Sequence, residues 1–362
     1  SETMGLSMSQ ENLLENRELH DLQTPKFYGS FGEINNVSTN NVDFSSEHFG
    51  LFRTIASVAR IHNKKDTLWK TLLWLFPIAA FYVILLLNDF FFNPDGRGLI
   101  YIWAQTMGVF GFGLFMWYYK NHFHEIFSSL PVSCSPKLRL VGNILACLVL
   151  VQWILLMLVT HRSWSSVWYK YIGWVALNTI LEFLFALVCP LFMMVCWVMV
   201  LQSEKFIHDC KQAPDQMAHK VKAANKLIQK HCKMISPFVI LANICCSVEM
   251  VFIVKTLFVK FTDEDGFKLI WIINTAWLVS VVLLTNLSAA LVTHAWGKTT
   301  LNALAKEAFG SNELKDAVPL YALSHPQFEV LGVTVGLDVM VKLVPVAIPF
   351  VTLAAEQWYN LD

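Results

Sequence analysis

Seven stretches of this chain are each long and apolar enough to cross a bilayer. That pattern constrains the fold more than any other feature. A spanning helix needs about 20 mostly apolar residues. The stretches run from about Leu68 to Phe91, Leu99 to Tyr119, Leu138 to Thr160, Tyr171 to Leu201, Met234 to Val259, Leu269 to Trp296 and Phe328 to Trp358. The backbone has no water to bond to inside lipid, so each stretch must satisfy its own hydrogen bonds as a helix. The expected fold is an all-α membrane protein with seven transmembrane helices.

The connections alternate in character. Those after the first, third and fifth spans are short. Those after the second, fourth and sixth are longer and basic. Eighteen Lys and Arg flank the spans on the side that holds the segment before Leu68, and five lie on the other. Cytoplasmic loops collect Lys and Arg, so the N-terminus is expected in the cytosol and the C-terminus outside. A rhodopsin-like receptor has the opposite orientation.

The organisation follows from this count. Residues 1–49 are polar and expected to be largely disordered, and residues 50–362 form the membrane domain. Residues 202–233 and 297–327 extend it on the cytosolic side as an anchor. The helical part of 297–323 precedes Pro319 and Pro326.

Several functions are disfavoured. Lys+Arg and Asp+Glu number 27 each, without the basic excess of a nucleic-acid binder. No cysteine falls in an outer loop, so no extracellular disulfide is expected. No Cys and His spacing suits a metal. No cofactor motif stands out, and no nucleophile–base pair marks an enzyme.

The last span has the most distinctive residues. Gly332, Gly336, Pro345 and Pro349 interrupt it, as a broken pore helix or a kinked packing helix would be interrupted. Asp338 and Lys342 share a helical face and suit an ion pair. Phe350, Ala354, Gln357 and Trp358 recur at helical spacing near the outer end. Trp358 could also be an interfacial anchor. Deeper charges, Glu182 and Glu249, are costly in lipid and commonly functional. Trp103, Gln105, Trp153, Trp174, Asn178, Asn274 and Trp277, with Glu182, give the outer half of the bundle aromatic walls with a few polar groups. Such walls suit a small organic ligand, although each aromatic alone reads as packing. Gln152 lies beside Trp153. Gly108, Gly111 and Gly113 read as close helix packing.

The run from Leu320 through His325, Phe328, Gly332 and Leu337-Asp338, closing at Gln357-Trp358, resembles the end of the insect gustatory receptor family, in a divergent, gustatory receptor-like form. Phe350-Val351 stands where the family has Thr-Tyr. The resemblance implies a homotetrameric, ligand-gated, non-selective cation channel in the plasma membrane. The seventh helices would line its pore, and each subunit would hold a small-molecule pocket. It implies Gln357 as a polar ring and Trp358 as a gate, with permeant cations, lipid and other copies of the chain as partners. A transporter or a non-conducting scaffold of the same topology is the alternative.

Overall fold

A computed structural model describes residues 46–58, 122, 126, 130–164, 172–213, 216–260, 265–308, 312–330 and 332–338, all within the compact unit Asn41–Asp362. About 90% of these residues are helical, so the fold is mostly α, with one short hairpin near its end. Among the described residues, three helical segments are long and apolar enough to cross a membrane: Val132–Leu155, Ala186–Gln212 and Thr275–Lys306. The first two spans and the pore positions Phe350, Ala354, Gln357 and Trp358 lie outside the described residues.

The elements are α1 (Ser46–Phe49), α2 (Leu51–Val58), a 3-10 turn (Val132–Cys134), α3 (Ser135–Trp164), α4 (Ile172–Gln212) and α5 (Met217–Lys260). There follow α6 (Asp265–His294), a π turn (Ala295–Thr299), α7 (Thr300–Ala308), α8 (Asn312–Ser324) and a hairpin of β1 (Glu329–Val330) and β2 (Val333–Thr334).

Helix length divides the bundle into two levels. At 1.5 Å per residue, the 41 residues of α4 span about 60 Å and the 44 of α5 about 66 Å. The hydrocarbon layer is about 30 Å thick. Both helices therefore continue far beyond it. Pro190 and Pro237 lie inside them without ending them, as neighbouring helices permit in a bundle.

Burial follows position. α4 packs against α3, α5, α6 and α7, and 78% of its apolar window is buried, against 33% for α3 and 39% for α6. The apolar residues that the outer helices leave uncovered form stripes. On α3 they include Leu140, Ile144, Val151 and Ile154, with Leu150 and Leu155 beside them, and on α6 they are Leu283, Leu287 and Leu291. Spacings of three, four and seven place each set on one helical face. An apolar face turned outward suits lipid, not water.

Three details depart from the sequence reading. Ser46–Phe49, inside the segment read as polar, is a helical turn, and Phe49 is fully buried against α3. Gly50 turns the chain in the left-handed region, φ +56°. There the Asn143 side chain accepts from the Leu51 N–H at 2.9 Å.

The seventh stretch does not begin as a helix at Phe328. Glu329 pairs with Thr334 and Val330 with Val333 across a turn at Gly332, φ +78°. Helical backbone resumes only at Leu337–Asp338. The reason is local: Pro326 precedes this run, and β-branched Val330, Val333, Thr334 and Val335 favour extended backbone. A glycine provides the positive φ. Pro319, expected to follow the helical part, lies inside α8 instead.

Candidate functional site

A group of chemistry-bearing side chains packs together where α4, α5, α6 and the hairpin meet, at the basic end of the bundle. Trp296 is 1% exposed, and its indole N–H donates to the Met199 carbonyl on α4 at 2.9 Å. The π turn widens the helix here, and hydroxyls reach the carbonyls it presents. Thr300 Oγ1 donates to the Ala295 carbonyl at 2.7 Å, and Tyr321 Oη donates to that of Trp296. π turns of this kind recur at functional sites.

Tyr321 is fully buried. Burial pushes its phenol above the ordinary value, and Thr300 pulls it back in part. It therefore stays a proton donor. Its ring stacks on Phe206 of α4 at 5.8 Å, and Phe206 also meets Trp296 at 5.6 Å. Trp296 thus joins α6 to α4 by a hydrogen bond and an aromatic contact, and Tyr321 adds α8 to the same cluster.

The hairpin is tied down as firmly. The Phe328 N–H donates to Thr293 Oγ1 at 3.0 Å, and Ser236 Oγ on α5 donates to the Glu329 carbonyl at 2.8 Å. Val335 N–H returns to the Phe328 carbonyl at 2.8 Å. The Phe328 ring meets Phe192 edge-on at 6.1 Å, and Phe192 lies 5.1 Å from Phe238. His325 approaches the helix at Gly297, where an added Cβ would come within 3.1 Å of the imidazole Nε2. His325 Nε2 also lies 3.0 Å from Gln327 Nε2, and Gln327 Oε1 accepts from Thr334 Oγ1 at 2.9 Å. Asn225 Nδ2 on α5 donates to the Ser324 carbonyl.

One turn and more deeper, α5 and α6 are joined by reciprocal amide bonds. Asn243 Nδ2 donates to Asn286 Oδ1 at 3.2 Å, and Asn286 Nδ2 donates to Asn243 Oδ1 at 2.7 Å and to the Val282 carbonyl at 2.8 Å. Beside them Thr285 Oγ1 lies 3.7 Å from Cys189 Sγ. Amides paired between helices hold membrane bundles together.

The sequence-expected ligand residues fall differently. Trp153 packs edge-on against Phe183 at 5.6 Å in the main core. Trp277 packs in a separate cluster with Cys189, Cys246, Leu278 and Val281. The two do not meet in one wall. Gln152, beside Trp153, is 8% exposed, and its side-chain oxygen has no hydrogen-bond partner among the described residues. Trp174, Asn178, Glu182 and Asn274 are on α4 and α6, but their side chains lie outside the described set. Trp103 and Gln105 lie outside it altogether. Among the described residues, no three His, Cys, Asp or Glu come together as a metal would require.

Sequence reasoning singled out neither Trp296, Tyr321 and Thr300 as a cluster nor Asn243 with Asn286. One signal was present. The pair Trp296-Gly297 sits where the sixth apolar stretch turns polar, and His325 lies in the run read for resemblance. The Asn243–Asn286 pairing has no local signature, because 43 residues separate the two amides.

The chain matches no protein-family model and no curated protein.

Proposed function

We propose that the chain is one subunit of a homotetrameric, ligand-gated, non-selective cation channel of the gustatory receptor-like class, set in the plasma membrane with its N-terminus in the cytosol. The observation that carries this reading is the link between the packed basic end and the seventh apolar stretch. The hairpin is fixed to α5 and α6 through Ser236 and Thr293, and three residues after β2 the backbone becomes helical at Leu337. A helix rooted in this way can transmit a rearrangement of the bundle to its far end.

In this reading Phe350, Ala354, Gln357 and Trp358 line the outer pore. Gln357 forms a polar ring for a partly hydrated cation, and Trp358 closes the path by dewetting. The broken seventh helix, with Pro345 and Pro349, separates an anchored half from the pore half. A small molecule binds in the outer half of each subunit. Gln152 adds a buried acceptor near Trp153, and Glu182, Trp174 and Asn178 belong to the same level of α4. The protein is not an enzyme in this account and needs no cofactor.

The test is electrical. Purified chain in a planar bilayer should show discrete cation currents, and Gln357→Ala or Trp358→Ala should change conductance or basal leak. Currents identical to wild type in both variants would remove these residues from the pore. Substrate uptake without channel currents would favour the transporter, and neither activity would favour the scaffold.

A further inference from the structure

The exposed face of α5 at the basic end carries a one-signed charge pattern that the channel reading does not use. Lys222, Lys226 and Lys233 are exposed and make no ion pair among the described residues. Spacings of four and seven place them in one stripe. No acidic residue occurs between Asp215 and Glu249. An ordinary solvated face intersperses both signs, often as Glu and Lys pairs four apart. Lys220, on the same segment, turns away and donates to the Asp209 carbonyl at 2.7 Å.

The stripe sits at a definable depth. On α3 the outward apolar stripe begins at Leu140, 63% exposed, directly after exposed Arg139. One turn before it, Lys137 pairs with Glu204 at 2.5 Å. On α6 the last outward leucine is Leu291, and Lys298 follows, exposed, in the π turn. On α5 Lys233 lies one turn before Pro237, itself exposed. The lipid boundary therefore passes near Arg139, Lys298 and Lys233. From there the stripe rises about 16 Å to Lys222. Its lower half lies among headgroups, and Lys222 lies within about two Debye lengths.

We infer that this face binds anionic phospholipid headgroups of the leaflet it enters, with Lys233 and Lys226 in contact and Lys222 acting at longer range. Lysines beside a membrane helix recognise such lipids by charge. A second copy meeting the stripe with the same face would bring like charges together. The orientation count needs lysines on this side, but it does not require that acids be absent from their face. The inference rests on the membrane orientation proposed above, not on conduction.

The test uses the full chain in nanodiscs of phosphatidylcholine, with and without a minor fraction of phosphatidylserine. Phosphatidylserine should raise the thermal midpoint of the wild type, and added salt should reduce the gain. Lys222→Gln, Lys226→Gln and Lys233→Gln together should weaken phosphatidylserine binding by roughly ten- to a hundredfold, and the triple Arg variant should retain it. Equal phosphatidylserine affinity in the Gln and Arg variants would overturn the inference, as would a wild type indifferent to lipid charge. Lysine-dependent binding of a soluble acidic peptide in the absence of any lipid-charge effect would assign the face to a protein partner instead. Conductance of the same variants reconstituted in planar bilayers separates failure here from failure of the channel reading.

Discussion

Replacing Tyr321 by Phe removes one hydroxyl and leaves the ring. The hydroxyl is fully buried and donates to the carbonyl of Trp296, which is itself 1% exposed. No water can take its place, so the carbonyl loses a partner at a cost of about 1–3 kcal/mol. Tyr321→Ala also removes the stack on Phe206 and opens a cavity, for about 3–5 kcal/mol. Followed by intrinsic fluorescence of the full chain in detergent, Phe should lower the melting midpoint by a few degrees, at about 2–4 °C per kcal/mol, and Ala by clearly more. A pH arm separates the hydroxyl from the ring. The folded phenol is raised above its ordinary value by burial. The unfolded phenol ionises near pH 10. The wild type should therefore hold its stability below about pH 10 and lose it above, while Tyr321→Phe lacks this loss. A Phe variant as stable as wild type, with the same alkaline profile, would refute the account of the π turn as a hydrogen-bonded joint.

Other expectations follow from single contacts. Asn243→Leu and Asn286→Leu, measured singly and together by thermal unfolding, should show a coupling of about 0.6–1.7 kcal/mol; strict additivity would mean the amides do not hold α5 to α6. Gly142→Ala should destabilise strongly, because its Cβ would meet the backbone carbonyl of Phe49. Expression and melting of the variant check this, and a wild-type midpoint would show that α1 is not seated there. Cys232 is buried, and burial pushes its thiol up to about 12. It should resist maleimide at neutral pH until the chain unfolds, and mass spectrometry of labelled peptides decides. Cys147 lies on the outward apolar face of α3, so a water-soluble maleimide should label it in detergent faster than in bilayers; equal rates would argue that this face meets water.

The helices of the described region were legible because apolar length and helical period are properties of contiguous residues. The third and fifth stretches fall inside α3 and α5, the fourth and sixth coincide with α4 and α6 to within two residues at one end, and the break between α4 and α5 lies within residues 202–233. What escaped was set by neighbours distant in the chain. Thr293 and Ser236 fix the hairpin at Phe328 and Glu329, so a run that reads as the start of a helix forms strands. Ala295–Thr299 forms a π turn with Tyr321 on its carbonyl, 25 residues away. The aromatic positions were visible as candidates, but not their grouping. Trp153 and Trp277 share an apolar level in the sequence and enter different clusters in the fold.

The mass of the purified complex in detergent, read together with its bilayer conductance, tests the channel most directly. Four chains of 41.3 kDa give about 165 kDa of protein, and the account predicts that mass, with discrete cation currents. A single chain of about 41 kDa that passes no current would contradict it.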